Sequence, residues 1–251
     1  MLIRQTQLQI FSDSLRASAE KALLRHCREY APRLCEAAGD RGVEHLVRLG
    51  MQRAETYSFF DQDHVRFYID TMLLLGSEFD TDPQFEWAAQ ILNDRFSKAH
   101  VRAVVLHRDL TLYLNRVMGP NNEFARRALA SLTGLPPHLP PPDQRRIERL
   151  RNWLQELYPE KSNDVSDSQL RKIASEATGQ AEKFGLPLGD NVLAGLMLVF
   201  GHGVTDDPLY PWISNVLRDL RIVSPEARLE RLWAKVRTYA ASAGKYLGDS
   251  V

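Results

Sequence analysis

Gly76-Ser-Glu-Phe-Asp-Thr-Asp82-Pro83-Gln-Phe-Glu-Trp87 is followed 125 residues later by a second version, Gly201-His-Gly-Val-Thr-Asp-Asp207-Pro208-Leu-Tyr-Pro-Trp212. Over the longer stretches 72–94 and 197–219, eight of 23 aligned positions are identical. Self-similarity at one fixed separation is typical of an internal duplication. The sequence therefore predicts that one structural unit occurs twice.

Each copy combines a helix end with a helix start. An apolar run reaches Gly76 or Gly201, and glycine supplies the left-handed residue that closes many helices. Asp-Pro follows in both copies, where aspartate can accept hydrogen bonds from free amides and proline has no amide to satisfy. The pattern predicts a helix, a tight loop and a second helix that begins at Asp82-Pro83 or Asp207-Pro208. The tryptophan one turn later is expected to be buried between helices.

Composition excludes several classes of protein. Lys and Arg together number 32, as do Asp and Glu, so no net field would attract nucleic acid or an anionic membrane. No apolar run is long enough for a membrane span, and the first residues lack the apolar core of a signal peptide. Two cysteines, Cys27 and Cys35, fit a reducing compartment. We expect a cytoplasmic protein with neither nucleic acid nor membrane as a partner.

Helical periodicity dominates the chain, and no strand-like alternation persists beyond a few residues. Pro32 and Gly39-Asp40 are expected to interrupt the first helical region. Residues 150–159 resemble residues 23–32, and the similarity continues through the last helix. The predicted fold is all-α, with two tandem duplicated helical bundles of about five helices each.

A proline-rich segment separates the two halves. Five of the seven residues in 136–142 are proline, which favours an extended spacer over a helix; a ligand for a proline-recognition domain is the alternative. We predict a first bundle over 1–133, a linker over 134–143 and a second bundle over 144–251. Residues 121–132 form a predicted short helix that has no counterpart in the second half.

Polar residues give little sign of catalysis. Capping accounts for Asp82 and Asp207, and the histidines and cysteines show no metal-ligand spacing. No nucleophile-elbow, phosphate-loop or dinucleotide-binding pattern occurs. We expect no catalytic residues, no metal and no cofactor.

The first half resembles a family of bacterial helical proteins encoded in type VI secretion clusters, beside effectors, spike proteins and adaptor chaperones. The resemblance covers roughly residues 1–118 and extends to the second half only through the internal repeat, where Leu193-Ala-Gly-Leu replaces Tyr68-Ile-Asp-Thr. It rests on four motifs: Tyr57-Ser-Phe, Tyr68-Ile-Asp-Thr-Met-Leu, Gly76-x-x-Phe-Asp-x-Asp-Pro83 and Trp87-Ala-Ala-x-Ile-Leu.

The resemblance implies a non-catalytic accessory protein that binds a secreted effector or its chaperone, as a co-chaperone or adaptor. An immunity protein that neutralises a toxic effector is the first alternative. The balanced charge disfavours immunity against a nuclease but leaves other toxins open. An enzyme with a cryptic site between the two halves is the second alternative.

A partner-specific surface is expected where the two copies diverge. Aromatic residues flanked by arginines commonly anchor protein interfaces. The alternative for the phenylalanines is that they pack the two bundles against each other. The predicted partner-binding residues are Phe59, Phe60, Phe79, Phe124, Arg126 and Arg127.

Overall fold

A proline and a glycine divide the beginning of the chain into helices. The computed structural model describes residues 5–134, 145–186 and 189–248, and every regular element in these ranges is a helix. Helix α1 spans Gln5–Tyr30 and ends just before Pro32. Helix α2 spans Pro32–Thr56 and is broken at Gly39, where φ is +70°. Glycine adopts this conformation readily because it lacks a Cβ atom, so the turn expected there is present.

The first copy of the motif has the expected helix ends. Helix α3, Gln62–Leu75, ends at Gly76, whose φ is +101°. Asp82 caps the next element through a 2.8 Å hydrogen bond from the Gln84 amide. That element begins as a single 3-10 turn, Pro83–Phe85, and continues as helix α4, Glu86–Leu92.

Two helices complete the first half. Helix α5 spans Ala99–Met118, and a 3-10 turn at Pro120–Asn122 leads into helix α6, Glu123–Thr133. Gly134 follows α6, and the remainder of the predicted linker, 135–143, lies outside the described residues.

The described residues of the second half, 145–186 and 189–248, form six helices. They are α7 (Arg146–Leu157), α8 (Pro159–Asn163), α9 (Asp167–Lys183), α10 (Asp190–Phe200), α11 (Pro211–Leu217) and α12 (Pro225–Gly248). Helices α3 and α10 end 125 residues apart, at Leu75 and Phe200, as do α4 and α11 at Leu92 and Leu217.

One predicted helix start is wrong. Pro208 lies in a turn, and the helix begins three residues later, at Pro211. A proline disfavours the helical conformation in the residue before it, and Tyr210 accordingly has φ −126° and ψ 53°. Pro211 therefore sets the start of α11.

The two halves share one hydrophobic core. Helix α6 packs along α12, α5 contacts α8, and α9 contacts the 3-10 turn at Pro83–Phe85. At Gly195 a Cβ atom would lie 2.7 Å from the Trp153 ring and 2.8 Å from Leu132, so α10 passes closely between α6 and α7. No helix in the described ranges is both long and apolar enough to cross a membrane.

Candidate functional site

The two copies of the motif meet at their glycines. A Cβ atom on Gly76 would lie 2.6 Å from the carbonyl oxygen of Phe200, and one on Gly201 would lie 3.0 Å from that of Leu75. Real Cβ atoms essentially never approach backbone oxygen as closely as 2.6 Å, and 3.0 Å is tighter than most real contacts. Close packing therefore excludes a side chain at Gly76 and disfavours one at Gly201, beyond the need for a positive φ at both.

The aspartates of the motif exchange hydrogen bonds across this contact. Oδ2 of Asp82 accepts from the amide of His202 at 2.7 Å, and Oδ2 of Asp207 accepts from the amide of Ser77 at 2.8 Å. The Oδ1 atoms cap their own turns, from the amides of Gln84 and Leu209, both at 2.8 Å. Burial raises the pKa of both carboxyl groups, while the amide hydrogen bonds oppose that shift. Each aspartate thus caps a turn in its own half and accepts a hydrogen bond from a backbone amide of the other half.

The tryptophans are less buried than expected. Trp87 and Trp212 are half-buried, and both indole Nε1 atoms lack a hydrogen-bond partner among the described residues. Each packs on a tyrosine, Trp87 at 5.9 Å from Tyr113 and Trp212 at 5.4 Å from Tyr239, measured between ring centroids. Their seven-residue helices pack mainly on α5 and α12, which cover one side of each indole.

The first half contains a buried polar cluster that the second lacks. Asp80, only 4% exposed, accepts hydrogen bonds from Arg53 at 2.5 and 3.1 Å, Tyr57 at 2.9 Å and Tyr68 at 2.8 Å. Burial and the Asp80 charge raise the pKa of both phenols. The corresponding residues of the second half are Gln180, Phe184, Leu193 and Thr205. Because the Asp80 carboxylate is fully occupied, this cluster serves the fold of the first half.

Two predicted partner-binding residues lie in the core. Phe59 and Phe79 are 0% and 1% exposed, and so offer no surface to a partner in this structure. The guanidinium carbon of Arg102 lies 5.5 Å from the centroid of the Phe59 ring. The ring centroids of Phe79 and Tyr68 are 5.0 Å apart. Phe59 therefore mainly stabilises the first half, whereas Phe79 also borders the junction of the two halves, where it lines the same small crevice as Gly201 and His202.

The predicted residues on α6 contact one another and the second half. Phe124 is half-buried, and its ring lies against Gly119 and under the Arg127 guanidinium at 5.2 Å. Arg127 is exposed and forms an ion pair with Glu160 of α8. Arg126 is half-buried, and its Nε atom has no hydrogen-bond partner among the described residues.

Phe60 belongs to a different surface, around the start of α5. Arg102 donates hydrogen bonds to the carbonyl oxygens of Tyr57, at 2.6 Å, and Leu92, at 2.5 Å, and so ties two loops to α5. The exposed apolar residues on these loops and on the first turns of α5 are Phe60 (74% exposed), Phe96 (101%), Val101 (40%) and Val104 (68%). We call these four residues the α5 surface.

Sequence reasoning found only Phe60 of this surface. The signal for the others was present, because Val101 and Val104 lie on a different helical face from the buried Leu106 and Leu110. An apolar face that does not join the core pattern indicates a candidate contact surface.

A cavity of about 350 Å³ lies between the two halves, a feature that sequence reasoning did not predict. Its walls are largely apolar and come from α2, α3, α5 and α6 on one side and α8, α10 and α12 on the other. Among its polar side chains are Tyr113 (2% exposed) and Lys161 (5% exposed). The others are Arg33, Tyr158, Tyr210, Tyr239, Ser242 and Tyr246. Neither the Tyr113 hydroxyl nor the Lys161 ammonium has a hydrogen bond or ion pair among the described residues.

No cluster of three or more potential metal-ligating side chains occurs within the described ranges. A comparison of the chain with models of known families, with curated proteins and with solved structures gave no match.

Proposed function

We propose that this chain is a non-catalytic, protein-binding accessory protein of a bacterial type VI secretion system, acting as an effector co-chaperone or adaptor. The α5 surface is the observation that carries the binding part of this proposal. Phe60 and Phe96 expose large aromatic side chains on the two loops that Arg102 ties to α5, the helix that carries the two exposed valines. Large apolar side chains exposed on neighbouring elements are typical of sites of protein contact. The secretion context rests on the sequence resemblance.

The internal duplication that we infer supports the choice of surface. The reciprocal aspartate bonds, the paired glycines and the repeated helix order are features of the shared fold. The α5 surface, in contrast, is aromatic in one copy only, whereas the corresponding loop of the second copy exposes the aliphatic Leu220 and Val223. Glu230 of α12 stands where Val104 stands in α5, and Arg221 stands where Phe96 stands. Exposed aromatic residues that occur in one copy alone fit a role beyond folding.

The buried acids support a non-catalytic role. Asp80, Asp82 and Asp207 are the deeply buried carboxylates of the motif. Each carboxylate accepts at least two hydrogen bonds, and both of its oxygens take part. A general acid or base needs an oxygen that can reach a substrate. These three carboxylates do not offer one.

The test is co-purification with the effector encoded beside this chain. We expect the variants Phe60→Ser and Phe96→Ser to retain less than about one tenth of the bound effector, since central aromatic anchors often contribute 2 kcal/mol or more. Leu220→Ser is the matched control, because Leu220 is 91% exposed in the corresponding loop of the second half. All three variants should keep the thermal stability of the parent protein. Unchanged binding by both phenylalanine variants would refute the α5 surface.

A toxicity assay distinguishes the alternatives. Co-expression that raises effector levels without protecting the cell fits a co-chaperone or adaptor. Protection of intoxicated cells would reassign the chain as an immunity protein. The remaining predicted residues on α6, Phe124, Arg126 and Arg127, can be changed to alanine in the same assay to show whether a partner also contacts that helix.

A further inference from the structure

The cavity between the two halves contains an unpaired positive charge. Lys161 lies on the short helix α8, with its ammonium nitrogen 5.3 Å from the centroid of the Phe85 ring. A buried ammonium normally has a carboxylate or several hydrogen-bond acceptors as partners, because removing the charge from water is costly. Asp82, the acid that acts on Lys161 electrostatically, lies beyond ion-pair distance and has its own amide donors.

Tyr113 provides a second unused polar group in the same region. Its ring centroid is 5.5 Å from that of Phe85, so Tyr113 and Lys161 both lie against one aromatic ring. The neighbouring Tyr158 hydroxyl, in contrast, donates to the carbonyl oxygen of Val117 at 2.7 Å. A hydroxyl donor and an ammonium donor without acceptors therefore line one cavity.

Most of the remaining cavity wall is apolar, and the exposed Arg33 lies over the Tyr246 ring at 4.6 Å. Leu75, Val117, Leu129 and Val199 contribute aliphatic wall. Leu74 and Tyr246 are 43% and 40% exposed and mark the opening, whereas Tyr113 and Lys161 are almost completely buried. The volume of about 350 Å³ lies within the range of small-molecule sites.

We propose that this cavity binds an aliphatic monocarboxylate, with the carboxylate paired to Lys161 Nζ and hydrogen-bonded to the Tyr113 hydroxyl. The aliphatic chain lies along the leucine and valine wall toward Leu74 and Tyr246. An anion supplies the missing acceptors, and an apolar chain matches the remaining wall. This binding goes beyond the proposed function and does not depend on it.

The probes are decanoate, decanol and decyltrimethylammonium, which share one chain and differ in the charge of the head group. Calorimetric titration of the full-length protein should show one decanoate bound per chain, at least about tenfold more tightly than decanol, and no saturable binding of the cation. Decanoate should also raise the melting temperature, as a ligand of the folded state does. Equal affinities for decanoate and decanol would overturn the proposal.

Two substitutions locate the head group. Lys161→Met should abolish the preference for decanoate over decanol, and Tyr113→Phe should weaken decanoate binding several-fold while decanol binding is retained. Lys172→Met, on the exposed side of α9, is the matched control and should bind as the parent does. Retained decanol binding shows that the variants still form the cavity. If Lys161→Met keeps the preference for decanoate, the assignment of the head group is wrong.

A short apolar peptide tests the alternative source of a carboxylate. A peptide with a free carboxyl terminus that bound more tightly than decanoate, and lost binding when amidated, would reassign the cavity to a protein C-terminus and overturn the small-molecule proposal. Weaker binding of the peptide supports the proposal.

Discussion

Lys161 brings a charge into the core at a cost to stability. Burial lowers the pKa of its ammonium from 10.5 to about 8, and Asp82 offsets this only in part. Below pH 8 the lysine is protonated in both the folded and the unfolded chain. The burial of its charge then lowers the free energy of unfolding by the full amount. Between pH 8 and 10.5 the folded chain alone loses the proton, and stability rises with pH.

Lys161→Met should therefore stabilise the ligand-free protein at pH 7. We expect a gain in the free energy of unfolding on the order of 2–4 kcal/mol, which shrinks as the pH rises above 8. Urea unfolding at a series of pH values measures this difference. Lys172→Met should change stability by less than about 0.5 kcal/mol at each pH. A Lys161→Met variant less stable than its parent at pH 7 would show that the ammonium has a stabilising partner.

Asp80 differs from Lys161 because its buried charge has partners. Its two carboxylate oxygens together accept four hydrogen bonds. Asp80→Asn removes the charge that pairs with Arg53 and replaces one acceptor oxygen by a donor. We expect a loss on the order of 3–5 kcal/mol in the free energy of unfolding. Asp206→Asn is the control, because Asp206 makes an exposed ion pair with Arg218, worth about 1 kcal/mol or less. Similar losses for the two variants in chemical denaturation would contradict the importance given to the Asp80 cluster.

At the scale of the elements, the loop contact depends on Gly76 and Gly201. Alanine at either position must adopt a positive φ and also displace a backbone carbonyl of the other half. We expect each substitution to cost at least about 2 kcal/mol. The double variant should lose less than the sum, because the first substitution already separates the loops. Thermal or urea unfolding of the parent, the two single variants and the double variant measures the free energies that this double-mutant cycle compares.

Gly179 is the matched glycine control. It is exposed within α9, and a Cβ atom there would meet nothing within 4 Å. Gly179→Ala should increase stability by roughly 0.5–1 kcal/mol, since alanine favours a helix interior. Fully additive losses at Gly76 and Gly201 would show that the two loops do not depend on each other.

Local sequence signals gave most of the helix boundaries. Helix α2 begins at Pro32, and α3 and α10 end at Gly76 and Gly201, as the sequence predicts. The start of α11 was misplaced because two prolines compete there, and Asp207-Pro208 has the stronger capping signature. The position of the loop decides which proline begins the helix. Asp207 holds this loop against the other half by accepting a hydrogen bond from the Ser77 amide, and a local pattern does not reveal that contact.

At the scale of the whole molecule, the halves should unfold together. Asp82 and Asp207 each accept a hydrogen bond from the other half, and α6 packs along α12 of the other half. We expect one calorimetric transition whose measured enthalpy equals the van't Hoff enthalpy. Asp80→Asn, although confined to the first half, should move this whole transition to lower temperature. Two resolved transitions, of which only one responded to Asp80→Asn, would show that the halves fold independently.

The sequence by itself determined the all-helical class, the helix ends made by prolines and glycines and the capping role of Asp82. These features depend on residues close together in the chain, so local patterns reveal them. Only the tertiary structure showed that Asp82 and Asp207 bind across the halves, that Phe59 and Phe79 lie in the core and that Lys161 lines a cavity. Those outcomes depend on contacts between residues far apart in the chain. A side chain's burial follows from which distant helix covers it, and periodicity does not specify that helix.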